Sequence, residues 1–138
     1  IYAVCSLKSL KENKMGLLDG LLGNASEIDI DEVIEELAPI IGETESIQRV
    51  FKEIRDMYVF TNKRLILIDK QGMTGRKVDY HSIPYRAITQ FKLETAGHFD
   101  LDAELKVWIS GQDNPIEKEL KKDTVVGIQQ TLATHMFA

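Results

Sequence analysis

Leu101-Asp102-Ala103-Glu104-Leu105-Lys106-Val107-Trp108-Ile109 alternates apolar and polar residues along its length. Extended, it puts Leu101, Ala103, Leu105, Val107 and Ile109 on one face and Asp102, Glu104, Lys106 and Trp108 on the other. A strand with one apolar and one polar face belongs to an antiparallel sheet that covers a core on one side and meets water on the other.

The same period extends to both sides of this strand. Gly111-Gln112-Asp113-Asn114 reads as a hairpin turn, and Ile116 and Leu120 fall on a returning strand. Beyond it, Val125, Ile128, Leu132 and Met136 form one stripe of a helix, with Asp123 or Thr124 in the N-cap position. Upstream, Phe91 and Leu93 alternate with Lys92 and Glu94, and Val78 and Tyr80 with Asp79 and His81, up to Pro84. Gln71-Gly72-Met73-Thr74-Gly75 is a turn with two glycines free to take positive φ. Leu65-Ile66-Leu67-Ile68 is apolar on both faces and predicts a central, covered strand. Ile47–Ile54 and Met57–Phe60 are rich in β-branched and aromatic residues, and read as two more strands. Before them, Asp29 and Glu32 have the spacing of a helix start. Ile30, Val33, Ile34 and Leu37 then make an apolar stripe ended by Pro39 and Gly42. The expectation is one helix, seven strands and one helix, the short antiparallel strands forming a small barrel or sandwich plugged at one end by the last helix.

A chain of 138 residues has room for one domain with a true core. Its 43% hydrophobic and 28% charged residues exclude a disordered or collagen-like chain. The single cysteine, Cys5, excludes an intrachain disulfide and fits a reducing compartment. No apolar run approaches the ~20 residues of a membrane span. Net charge is −5, against the basic excess of general nucleic-acid binders. The charge is uneven. Glu27 to Glu45 holds eight acids and no base, whereas Arg49 to Lys92 holds ten bases and four acids.

Residues 1–14 follow neither period, and Met15-Gly16 reads as a natural start. The expectation is an expression remnant or upstream extension over 1–14 and a domain over 15–138. Within the latter, Leu17, Leu18, Leu21 and Leu22 form an apolar patch broken by glycines. It is expected to dock on its own domain or on a neighbouring subunit, in preference to a membrane, because no base flanks it on the domain side.

Several stretches taken in order resemble the bacterial pleckstrin-homology (PH)-like domain family: Phe60–Leu65, Asp69–Lys77, Ser82–Tyr85 and Glu94–Leu105. The similarity runs from Met15 to the C-terminus. It implies a mostly β, PH-like fold of seven strands in a bent antiparallel barrel capped by a C-terminal helix. It further implies a non-catalytic domain that assembles into ring-like homo-oligomers in the bacterial cytoplasm. Phosphoinositide binding is not implied, because it belongs to some eukaryotic relatives and fold does not carry function.

No nucleophile constellation, P-loop or G-x-G-x-x-G is present, so the expectation is no enzyme and no cofactor. His98, Asp100, Asp102 and Glu104 alternate, but side chains two apart on a strand point in parallel and do not converge on an ion, so no metal site is expected. Trp108 has two open readings: a surface ring covered by the barrel's bend, or an interface anchor. The bases Lys52, Arg55, Lys70, Arg76 and Lys77 lie around two turns that an up-and-down meander brings to the same end. They are either solvated turn residues or, given that the resemblance places headgroup sites at that end, a site for an anionic headgroup or small anion. Two functions follow from these readings. One is a homo-oligomeric module with a protein partner. The other, not preferred, is a peripheral binder of anionic lipid.

Overall fold

A computed structural model of the protein describes residues 27–95 and 102–137. The segment 1–14, the Leu17–Leu22 patch, His98 and Asp100 lie outside them. The described chain begins with a two-residue strand β1 (Glu27–Ile28), a 3-10 turn (Ile30–Glu32) and a short helix α1 (Ile34–Leu37). A meander follows: β2 (Ile47–Glu53), β3 (Asp56–Thr61), β4 (Arg64–Gln71) and β5 (Lys77–Pro84). After a second 3-10 turn (Tyr85–Ala87) come β6 (Ile88–Thr95), β7 (Asp102–Ile109), β8 (Ile116–Lys121) and the closing helix α2 (Lys122–Met136).

The strands form two antiparallel sheets, β1-β2-β3-β4-β5 and β6-β7-β8. This is the PH-like arrangement expected from the sequence, with two corrections. The pair Glu27–Ile28 adds an eighth strand by pairing with Phe51 and Val50. Among the described residues the sheets also do not close into one hydrogen-bonded barrel. Pro84 has no N–H to donate, and the 3-10 turn after it carries the chain from one sheet to the other.

The first core lies between the sheets under α2. Phe51, Tyr58, Phe60, Leu65 and Ile83 from one sheet meet Ala103, Leu105, Val107 and Leu120 from the other, with Val125, Ile128 and Leu132 of α2 closing the space. Phe51 and Phe60 pack edge to face with centroids 6.0 Å apart. A second core lies on the opposite face of the larger sheet, where Val50, Met57, Val59, Ile66 and Ile68 pack under Val33 and Leu37. Two cores on one sheet explain why Met57-Tyr58-Val59-Phe60 is buried at every position: alternate side chains enter different cores.

Both helices differ in detail from expectation. The N-terminal one is a 3-10 turn followed by a single α-turn. Three residues per turn in place of 3.6 rotates the stripe, so Val33 and Leu37 are buried while Ile34 is 49% exposed. Asp29 does cap the start, accepting from the Asp31 N–H at 3.1 Å. Neither Asp123 nor Thr124 is the N-cap of α2; Lys121 is. The cap's own N–H donates instead to Glu53 Oε1 of β2 at 2.8 Å, which puts a carboxylate at the positive end of the helix dipole. At the other end, in the last turn, stands His135. Its ring stacks on Tyr85, centroids 4.1 Å apart, and burial lowers its pKa, favouring the neutral form.

Two polar clusters fasten the N-terminal region. Arg49 makes a bidentate pair with Glu27 at 2.9 and 3.0 Å, donates to Thr131 Oγ1 of α2 at 2.9 Å and lies 4.8 Å over the Phe51 ring. Glu45, its side chain only 5% exposed, accepts from Arg64 at 2.8 and 2.9 Å, from Thr61 Oγ1 at 2.7 Å and from the Gly42 N–H at 3.0 Å. Arg64 donates in addition to Ile40 O and Ser82 Oγ. These bonds hold the Glu45 pKa down, from 4.5 to about 2.

Candidate docking surfaces

The hairpin end is the first candidate. The β2–β3 turn is Ile54-Arg55, and the β4–β5 turn runs through Gly72-Met73-Thr74-Gly75-Arg76. The meander brings them side by side, and one bond joins them: the Arg55 guanidinium donates to the Gly72 carbonyl, which also accepts from the Gly75 N–H. Gly72 and Gly75 have φ of 79° and 65°, as the sequence predicts for that turn.

The five bases do not converge on one point. Lys52 pairs across the sheet with Met57, and Lys70 with Val78, so both stand on the α1 side. Lys77 pairs with Gln71 on the opposite face. Arg55 and Arg76 lie in the turns. Lys70 is engaged, its Nζ 2.7 Å from Glu36 Oε1 on α1, so the acidic helix reaches this end. Lys52, Arg55, Arg76 and Lys77 remain exposed. The neighbouring acids Glu53, Asp56 and Asp69 are half-buried and bonded inward, to the Lys121 N–H, the Lys70 N–H and Gln71 Nε2. Asp79 is exposed.

Two residues at this end did not stand out in the sequence. Ile54 falls in the turn instead of ending β2, with φ 55° and 89% exposure, and Met73 is fully exposed at 103%. The sequence offered no signal for Ile54, since the strand runs Ile47–Ile54 and Met57–Phe60 leave Arg55-Asp56 between them; the register of Glu53 with Asp56 moves the turn one residue back.

The outer face of the smaller sheet is the second candidate. Gln90, Lys92 and Glu94 of β6 align with Trp108, Lys106 and Glu104 of β7. Lys106 lies 3.5 to 3.9 Å from Glu94, Glu104 and Glu117, and Lys92 lies 2.8 Å from Glu94. Trp108 sits half-buried on this outer face, as its alternation predicts, and belongs to neither core. The third candidate is a set of strand edges. Among the described residues β5 pairs with β4 alone, while β6 and β8 border the smaller sheet. No cluster of metal-ligating side chains occurs among the described residues, and no helix there is long and apolar enough to cross a membrane.

Two sheets joined after Pro84 and one C-terminal helix over the core between them make up the described fold. A bacterial PH domain family model matches residues 16–136. The chain belongs to the bacterial PH domain family. It is 55% identical over 121 residues to the uncharacterized protein YjqA of Bacillus subtilis, covering 86% of this chain and 97% of that protein. The crystal structure of a pleckstrin homology domain from Shewanella amazonensis matches with a TM-score of 0.76 and 61% identity, covering 88% of this chain and 98% of the other. A protein with a pleckstrin-homology domain from Shewanella loihica matches with a TM-score of 0.72 and 62% identity, covering 80% of this chain and 96% of the other.

Proposed function

We propose that this bacterial PH domain is a non-catalytic interaction module of the bacterial cytoplasm, which assembles into a ring-like homo-oligomer and presents the assembled surface to a protein partner. The observation that carries this reading is the open edge of β5. Eight residues long, it pairs on one side only among the described residues, and its side chains from Asp79 to Ser82 are exposed. An unpaired edge of that length invites another chain. When the surface it pairs with is a different patch of the next copy, the contact is head-to-tail and closes into a ring wherever the rotation allows. Trp108 on the outer face of the smaller sheet supplies an aromatic anchor of the kind found at the centre of interfaces. Light scattering on the full chain tests the reading. The expected mass is a multiple of 15.7 kDa, lowered by Trp108→Ala. A monomeric mass at micromolar concentration overturns it.

A second reading is a binder of anionic lipid headgroups or small anions at the hairpin end. The Arg55–Gly72 bond favours it, because it holds the two basic turns as one unit. The Lys70–Glu36 pair counts against a five-base site and leaves four exposed bases.

A further inference from the structure

Phe137 is 73% exposed at the end of α2, and its ring lies against Phe91 of β6 with centroids 6.0 Å apart. Phe91, Leu93 and Met136 pack on the margin of the first core but are only half-buried. Leu93 stands on the same face of β6 as Phe91. Ala133, one turn before Phe137 on the same side of α2, is half-buried as well. These five residues make one apolar strip where β6, a border strand of the smaller sheet, meets the last turns of the helix. A half-covered strip of this kind, ending in an exposed aromatic ring, marks a place for another apolar segment.

We propose that the strip receives Leu17, Leu18, Leu21 and Leu22 of a neighbouring copy, so that each subunit lends its N-terminal segment to the next. This rests on the homo-oligomeric reading above and names a contact for it. The four leucines recur at i, i+1, i+4 and i+5, the spacing that lines one side of a helix. Their segment carries one charge, Asp19, and the strip carries none, so apolar burial governs the contact. The direction of β1 selects the copy. Glu27 pairs with Phe51 and Ile28 with Val50, so the chain enters β1 from the side of Lys52 and Glu53. Glu53 in turn accepts from the Lys121 N–H at the start of α2. Phe137 lies at the other end of that 15-residue helix, about 22 Å from its start at 1.5 Å per residue. The steps from Leu22 to Glu27 span at most about 17 Å. Leucines that follow the direction of the strand therefore stay near the start of α2 in their own subunit, and the strip is reached by those of a neighbour. One such contact is small, but a closed ring repeats it at every subunit boundary.

Disulfide trapping on the full chain tests the proposal. Leu21→Cys and Ala133→Cys are combined in a Cys5→Ser background and oxidised in air with copper phenanthroline. The expected result is a ladder of covalently linked chains on a non-reducing gel, whereas neither single-cysteine protein goes beyond a linked pair. A bond formed only within one chain overturns the exchange between copies, and no bond overturns docking on this strip. Light scattering gives an independent readout. Phe137→Ser removes an exposed ring and leaves the buried core in place, so the domain keeps its fold, which circular dichroism checks. It should weaken assembly about tenfold, the scale of one partly buried apolar side chain, and Leu18→Ser with Leu21→Ser should do the same or more. An oligomeric parent whose assembly ignores these changes overturns this contact and leaves the ring reading standing. A monomeric parent overturns both.

Discussion

Glu45→Gln isolates one electrostatic contact that the structure makes quantitative. The Glu45 carboxylate is held near a pKa of about 2, against 4.5 in the free side chain. Its hydrogen bond from Arg64 is the largest cause, and the bonds from Thr61 and Gly42 add to it against the opposing effect of burial. Each unit of such a shift corresponds to about 1.4 kcal/mol, so the ionised carboxylate contributes at most about 3 kcal/mol. Glutamine keeps the volume but carries no charge, and its amide nitrogen cannot accept from Arg64. Because the folded-state pKa is depressed, this stability is fully present above pH 4.5 and is lost as pH falls through the folded value. The variant should therefore melt about 10 °C below the parent at pH 7, taking about 3–4 °C per kcal/mol for this size. The gap should shrink steadily below pH 4.5 and nearly close by pH 2. His135, whose pKa is also lowered, is common to both proteins and cancels in the difference. Thermal unfolding by circular dichroism between pH 2.5 and 7 measures the gap. A loss below about 0.5 kcal/mol at pH 7, or one that stays constant across the range, refutes the argument, since an exposed pair contributes no more than that.

The second core is tested by Leu37→Ala, which should cost about 2–5 kcal/mol in urea unfolding because Leu37 is fully buried under the sheet's outer face; a cost under 1 kcal/mol would show that α1 is dispensable. Arg49→Ala removes the clamp between β1, β2 and α2 and should cost about 1–3 kcal/mol, with faster amide exchange in Glu27–Ile28 than in the sheet centre.

The order of elements could be read from the sequence because each strand declares its period locally. The alternation of Ala103 to Ile109, the doubly apolar Leu65–Ile68 and the stripe Val125, Ile128, Leu132 need no distant partner to be recognised. The Gly72 and Gly75 turn was equally visible, since only glycine takes those angles freely. Long-range contacts decided the rest. The sequence contains Glu53 and Lys121, but only folding puts that carboxylate at the start of α2, so a local search for caps fell on Asp123 and Thr124. The acidic run Glu27–Glu45 holds no base of its own, yet in the fold Glu45 is buried against Arg64, Glu27 is bound to Arg49 and Glu36 takes Lys70 out of the basic cluster. Ile54 read as the end of a strand because nothing in its residue type announces positive φ; the registers of Glu53 with Asp56 and of Lys52 with Met57 force the turn onto it. Backbone period is a property of neighbours in the chain and is therefore written in the sequence. Charge pairing, capping from a distance and the exposure of a turn depend on which strands meet, and those the tertiary fold alone determines.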